Sequence, residues 1–448
     1  MILRTLLLTI LLTVPFLTQA QTSITLEDAI EIALENNYQL KQAENNLTAS
    51  DYAVRNAQAD FLPSVSASYN GTRRIGQQFD QTTVTFDTFT TNSMGGNINS
   101  SVTLFNGFSN INSLRSANVS RSIQVEDNQR LRENIIFTTA SRFLQVVLNQ
   151  ELLKISEENL SVSEQQYERI EAQVEVGRSP NVDLLNQASV VANEELAVIQ
   201  GENALESSYA QLMRIMQDES GTEYNLMMPE IDDLELMPFE LNLQELIQTA
   251  LQNRRDLRAQ ELTIERNQYD ENIARANLLP TISASLGISG SYNDRFRDID
   301  GSPLGFSDQF FDRNVNRFIG FNVQIPIFDN LNRRTSLQNS KITLKNSQLE
   351  MENIRFQVNE EVRQAYNDYM SIVKELDSTE KALTAAERAY ETEFQRYEVG
   401  ASTLIELNQA NANYVQAQSN RIQTIYNFVF QEKLLDFYLG QLTASMEF

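Results

Sequence analysis

Residues 62–70 read LPSVSASYN, and residues 279–287 read LPTISASLG. After each proline the chain alternates: Val65, Ala67 and Tyr69 are interleaved with Ser64, Ser66, Ser68 and Asn70, and Ile282, Ala284, Leu286 and Ile288 recur in the same way. A period of two with one apolar side is the pattern of a β-strand that presents unlike faces. A second alternating stretch follows each of these. Ile98, Val102 and Leu104 alternate with Asn97, Asn99, Ser101 and Thr103, while Ile319, Phe321, Val323 and Ile325 alternate with Gly320, Asn322 and Gln324. The pattern predicts four strands, near 62–72, 96–106, 279–290 and 317–328. Two architectures produce such strands: a soluble sheet with one buried face, or a transmembrane β-barrel with lipid outside and water inside. Their length, about 9 to 11 residues, is what a tilted strand needs to cross the hydrocarbon layer. Phe105 and Phe328 fall at equivalent strand ends, and Tyr69, Tyr292, Phe310, Phe311 and Phe318 fall near the opposite ends, as aromatic girdles would.

The two alternating pairs belong to an internal duplication. A shift of 217 residues lays Leu26–Tyr69 on Leu243–Leu286 without a gap, with 15 of 44 positions identical. Beyond the next segment the shift becomes 223, pairing VTLFNGF (102–108) with IPIFDNL (325–331) and EVG (175–177) with EVG (398–400). The six-residue change therefore falls in the connection between the two strands of each copy. A repeat of about 200 residues is too long for a solenoid unit and predicts two similar halves.

Around the strands the period is helical. Thr25 with Asp28, and Asn242 with Glu245, stand where an N-cap and its third-residue acid belong, and the helices they open are expected to run to Pro63 and Pro280. From about Asn110 to Val176, and from about Asn332 to Val399, there is no Pro and no Gly. Apolar residues recur there every three or four positions, for example Met351, Ile354, Val358, Val362, Ala365 and Tyr369. Spacing of this kind sustained over so many turns signals coiled-coil packing. Close to seventy residues of helix extend on the order of 100 Å, so an elongated protein is expected. Four strands cannot close a barrel, and an open edge in lipid leaves backbone groups unsatisfied. The barrel alternative therefore requires an oligomer supplying at least about eight strands.

Composition narrows the chemistry. The 448 residues include 60 acidic and 35 basic side chains, for a net charge of −25, and no His, Cys or Trp. No disulfide, Cys nucleophile, His-based triad or ordinary zinc or haem site can be built, and no metal or cofactor is expected. Nucleic acid is disfavoured as a partner because phosphate binding needs a basic footprint. At the start, Arg4, the apolar run Leu6–Leu17 and Thr18-Gln19-Ala20 form a secretory signal over residues 1–20. The expected organisation is then a first repeat over 21–220, a linker over 221–241, a second repeat over 242–440 and a tail over 441–448.

These features together resemble the TolC-like outer-membrane efflux proteins of Gram-negative bacteria. The resemblance is carried by TLEDAIEIALENNYQL (25–40) and its second copy, the LP-strand junctions at Pro63 and Pro280, the segments at Phe105 and Phe328, and the tips VGRSPNVDLL (176–185) and VGASTLIELNQA (399–410). It departs from the family where a proline often follows the ALxxN segment, because Tyr38 and Arg255 stand there. The resemblance implies a mixed α and β membrane protein: a homotrimer with a twelve-stranded barrel in the outer membrane, four strands per chain, and a long helical tunnel in the periplasm. It implies a passive exit duct, not an enzyme, working with a periplasmic membrane-fusion adaptor and an inner-membrane transporter of RND, ABC or MFS type, with outer-membrane lipid around the barrel. The linker would lie in a belt around the tunnel, and Tyr69, Phe105, Phe318 and Phe328 would mark the lipid interface.

Gly177 and Gly400 end the two long helices where a left-handed turn is needed, and Ser179 and Ser402 can cap the helices that follow. The resemblance makes these tips, Gly177, Arg178 and Ser179 with Gly400, Ala401 and Ser402, the surfaces that contact the adaptor. It also maps the acidic ring of the family's closed entrance onto Glu406 and, one turn later, onto Gln409, which has no carboxylate. Three copies of Glu406 near an axis would repel, bind cations and raise their own pKa; Asp183 is the corresponding acid of the first half. The competing reading is a soluble periplasmic coiled-coil scaffold or adaptor, in which the strands form an ordinary sheet.

Overall fold

The computed structural model describes residues 22–80, 84–218, 224–227 and 241–442. The expected signal segment, most of the linker and residues 443–448 of the tail lie outside the described residues. The elements are β1 (Thr22–Ile24), α1 (Leu26–Asn36), α2 (Tyr38–Ala59), β2 (Ser64–Asp80), β3 (Thr85–Phe105), α3 (Ser109–Glu175), α4 (Asn181–Met216) and β4 (Tyr224–Leu226). The second copy follows as α5 (Leu243–Asn253), α6 (Arg255–Ala276), β5 (Thr281–Asn293), β6 (Asn316–Gln324), α7 (Asn332–Glu398) and α8 (Leu404–Leu439), with one π-turn at Asp308–Arg313. The chain divides into two compact units: Met1–Gln42, Asn128–Arg255 and Arg355–Phe448 make the first, and Ala43–Asp127 with Asp256–Ile354 the second. Among the described residues no helix is long and apolar enough to cross a membrane.

The first unit is helical. Its core gathers Ile30 from α1, Phe143 from α3, Leu212 and Met216 from α4, Tyr369 from α7 and Phe428 from α8, each at most 1% exposed. Thr25 and Asp28 form the expected capping box, with Asp28 N–H donating to Thr25 Oγ1 at 3.3 Å and Thr25 N–H to Asp28 Oδ2 at 2.8 Å. Asn242 caps α5 through Gln244 N–H at 3.0 Å. The expected single helices to Pro63 and Pro280 are each two helices. At Asn37 the backbone leaves the helical region, and the Asn37 side chain accepts from Leu40 N–H at 3.1 Å to start α2. The freed Tyr38 N–H donates to Gln217 Oε1 at 2.9 Å, and Gln217 is itself the left-handed residue closing α4. The second copy breaks at Arg254, buried and ion-paired with Glu361, beside Gly440, the left-handed residue closing α8. Gln217 and Gly440 stand 223 positions apart, the offset of the duplication. Within the expected linker, Tyr224–Leu226 forms a short parallel ribbon with β1.

The second unit holds one antiparallel sheet in the order β2-β3-β5-β6. Register puts Val65, Ala67 and Tyr69 of β2, Met94, Ile98 and Val102 of β3, Ala284, Leu286 and Ile288 of β5 and Ile319, Phe321 and Val323 of β6 on one face. That face is open: Val65 is 71% exposed, Ile319 82% and Phe321 74%. The other face is polar, with Ser64 hydroxyl to Ser101 hydroxyl at 3.0 Å and Ser68 bonded to Asn97. β2 and β3 are 17 and 21 residues, well beyond the expected 9 to 11, because their backbone ladder continues as an extended hairpin past Tyr69 to the pair Asp80 and Thr85.

The corresponding connection of the second copy, six residues longer, does not extend. It folds back over the apolar face. Gln309, fully buried, accepts from Asn293 N–H at 3.0 Å and donates to the carbonyls of Asn293 and Leu304 at 3.0 and 2.9 Å. Arg313 closes the loop on Asp298 with two bonds of 3.2 and 3.0 Å, and Asp294 holds Asn92 of β3. Phe310 is thereby laid across Gly96 and Gly290. A Cβ at Gly96 would meet the Phe310 ring at 2.7 Å, and one at Gly290 would meet the Phe310 carbonyl.

In the first unit burial pushes the Glu432 carboxyl up to about 7, with Lys433 opposing and Asp436 adding to the rise. A raised carboxyl pKa means that the unfolded chain releases its proton first, so this group removes stability as pH climbs from about 4.5 to about 7. Glu432→Gln is expected to flatten that decline, measured as urea midpoints of purified protein at pH 4.5, 6 and 7.5; an unchanged slope would contradict the assignment.

Candidate functional site at the hairpin tips

The residues singled out at 176–185 and 399–410 are the turns joining α3 to α4 and α7 to α8, both in the first unit. The two turns are built alike. Gly177 and Gly400 both have φ of +72° with nothing within 4 Å of a would-be Cβ, so glycine is required by backbone conformation and not by crowding. Arg178 N–H returns to Gln173 carbonyl at 2.7 Å, and Ala401 N–H to Arg396 carbonyl at 2.8 Å. Each pair satisfies a carbonyl left open at the helix end.

The caps differ from the expectation. α4 opens at Pro180 with no side-chain cap, and Ser179 Oγ lies 3.4 Å from Asp183 Oδ2. α8 is capped by Thr403, not by Ser402. Thr403 Oγ1 accepts from Glu406 N–H at 3.3 Å, and Thr403 N–H donates to Glu406 Oε2 at 2.9 Å, a complete capping box. Ser402 donates to Glu406 Oε2 at 2.9 Å and also contacts Glu393. The sequence TLIE (403–406) carries this Thr-x-x-Glu signal.

Glu406 is exposed, and its carboxyl is held below the usual carboxylate range by the Thr403 backbone, then by the Ser402 and Thr403 hydroxyls. Gln409 is likewise exposed and donates to Asn413 at 3.1 Å. Asp183 is half-buried and lines a groove of about 540 Å³ between the two tips, together with Arg178, Ser179, Tyr397 and Gly400. Burial and then the Asp183 charge raise the Tyr397 hydroxyl. Arg169 and Glu398, which the sequence did not single out, tie α3 to α7 at 3.0 Å beside the groove. Above it Gln187, 1% exposed, donates to Ser163 carbonyl at 3.1 Å and accepts from Asn408 at 3.1 Å.

Of the four aromatics assigned to a lipid interface, Tyr69 lies on the apolar face, and an irregularity after Thr103 sets Phe105 opposite Ile282. Phe318 does not: it pairs with Gly287, and its ring covers Gly287 on the polar face. Its odd position in the alternation, between Arg317 and Ile319, already places it there. Phe328 stands four residues beyond the end of β6 and is 75% exposed.

Residues 29–216 and 246–441, nearly the whole of both repeats, match the family described as outer membrane efflux protein. The chain belongs to this family. Family members are channel proteins and not enzymes, and the chain is accordingly an outer-membrane protein with a large periplasmic portion and a TolC-like fold. It is similar to the outer membrane efflux protein BepC of Brucella suis biovar 1 (strain 1330), 23% identical over 331 residues, 72% of this chain and 65% of BepC. The chain thus aligns with slightly less than two thirds of that relative's length. Its fold is similar to that of CusC, with a TM-score of 0.80 and 19% identity over 93% of this chain and 92% of CusC. It is equally similar to the CmeC outer membrane channel of Campylobacter jejuni, with a TM-score of 0.81 and 16% identity over 94% and 87%.

Thr403→Ala is expected to cost about 0.5 to 2 kcal/mol of local stability, read as faster amide hydrogen exchange over the first turn of α8 (404–407). Gly400→Ala and Gly177→Ala are each expected to cost about 1 to 2 kcal/mol through left-handed strain alone; an unaltered exchange rate in either would show that the turn relaxes.

Proposed function

We propose that the protein is the passive exit duct of an efflux pump or type I secretion system, receiving substrate from an adaptor and an inner-membrane transporter of RND, ABC or MFS type. The observation that carries this reading is the four-stranded sheet with one apolar face and two open edges, β2 and β6. The eleven residues of β5 from Ile282 to Tyr292, ten steps, span about 34 Å along the strand and roughly 26 Å in height at a barrel tilt of ~40°. That matches the apolar band of an outer-membrane barrel. Three chains pairing β6 of one with β2 of the next close a twelve-stranded barrel and leave no backbone edge in lipid. A soluble scaffold would leave the same apolar face in water.

In this reading the repeats lie at 21–220 and 242–440, and the linker and tail gird the tunnel. The turns Gly177–Ser179 and Gly400–Ser402 meet the adaptor. Glu406 charges the entrance, and Gln409 and Asp183 lie near it. The depressed pKa supports a carboxylate that stays ionised at neutral pH, so three copies would favour cations.

Expression in a Gram-negative host is expected to give an outer-membrane species that migrates on SDS gels as a trimer without boiling and as a monomer after it. A soluble periplasmic monomer would exclude the duct. In planar bilayers Glu406→Ala is expected to lower cation preference and weaken divalent-ion block; unchanged conductance and block would remove Glu406 from the entrance.

A further inference from the structure

We infer that the outer end of the sheet's polar face carries a site for a multivalent solute bearing phosphate or carboxylate groups, formed by Arg74 and Arg295 and shared by three chains around the lumen; this rests on the barrel reading above. Of the 60 acidic side chains of the protein, none lies on that face of β2 and β3 between the rows Ser64–Ser101 and Gly76–Phe89, nor on the polar side of β5 or β6. Register leaves Arg74, opposite Thr91, as the one charged residue there, among Ser, Thr, Asn, Gly, Gln and Phe. Arg74 lies three residues nearer the hairpin turn than Gly71, whose row runs through Met94 to Tyr292, the outer end of the apolar span. It belongs to the water side, so no charge is placed in hydrocarbon. Arg295, two residues after the end of β5, joins it: its guanidinium sits 5.0 Å from the centre of the Phe89 ring, in the next row of the same face.

In the closed barrel the edge strand β2 is covered by β6 of the neighbouring chain, so what β6 brings decides the charge around Arg74. The polar face of β6 is Asn316, Phe318, Gly320, Asn322 and Gln324, and no register of pairing with it sets an acid beside Arg74. The duplication selects one register. Gly95 and Ser291 are opposite each other in the β3–β5 pair, and the offsets 223 and 217 carry them to Phe318 and to Arg74 of the neighbouring chain. Each guanidinium then has an aromatic ring beside it, Phe89 for Arg295 and Phe318 for Arg74, a contact that favours the cation and leaves N–H donors free. The acids of the connection are directed elsewhere: Asp298 is held by Arg313, Asp294 by Asn92, and Asp308 and Asp312 act on Arg313 from the turn over the apolar face. Asp87 and Asp80, the next acids in register, stand four and six residues farther out along the hairpin. Three chains therefore bring six guanidinia around one lumen. Like charges so gathered repel, and a multivalent anion relieves the repulsion through the charge-assisted bonds that guanidinium makes to phosphate and carboxylate oxygens. Rings of basic side chains are one way in which pores select anions.

Isothermal titration of inositol hexakisphosphate into the purified full-length mature protein in a zwitterionic detergent tests this, with uncharged myo-inositol as the blank. One inositol hexakisphosphate is expected to bind per three chains, and more weakly as salt rises. Arg74→Gln and Arg295→Gln should each weaken binding about ten-fold, as loss of a charge-assisted bond predicts, and the double variant should abolish it. Arg74→Lys should retain part of the binding. Arg73→Gln, one residue away on the apolar face, should change nothing. No binding by the unaltered protein overturns the site, as does undiminished binding in the double variant or an equal loss in Arg73→Gln. Three bound per trimer would put a separate site in each chain and overturn the shared ring. The mass of the same samples in solution keeps the two readings apart: a monomer would sink the barrel reading, whereas a trimer that binds nothing sinks only the anion site.

Discussion

The unpaired backbone at the two edges of the four-stranded sheet governs what this chain can be. β2 has a partner on one side only, and so has β6, while the face they share is apolar and exposed. In water such an edge invites aggregation; in lipid each open N–H and C=O costs several kcal/mol. Both problems vanish only when edges meet edges. The polar opposite face, with its Ser and Asn side chains bonded across β2 and β3, suits water on that side.

Duplication supplies the rest economically. The two copies share a helix broken after its first three turns, a left-handed residue closing the partner helix beside the break, and a glycine turn at each tip. They diverge where nothing in the core constrains them. One strand connection continues the ladder as a long hairpin; the other, with six more residues, turns back and covers glycines with an aromatic ring. Loops tolerate such divergence because their backbone is satisfied locally, here by the Gln309 side-chain amide.

The tips show how little a candidate residue says until its hydrogen bonds are known. The Glu406 carboxylate accepts from the Thr403 backbone and from the hydroxyls that start its own helix, and that bond set lowers its pKa. Ser402 was read as the cap, but the threonine after it makes the box. Asp183 is half-buried and lines the groove between the hairpins, whereas Glu406 and Gln409 are exposed.

Much was legible in the residues alone. Alternation at 62–70 and 279–287 set the strands and their two faces, helical spacing without Gly or Pro set the long helices, and matching offsets set the repeat, because all three are local periodicities that a one-dimensional string records. Strand length, the breaks at Asn37 and Arg254 and the fold-back over Gly96 and Gly290 were decided only in the tertiary structure. Each depends on a partner distant in sequence, Gln217 for Tyr38, Glu361 for Arg254, Ser101 and its neighbours for β2 and Phe310 for Gly96, and pairings of that kind leave no periodic trace in the chain.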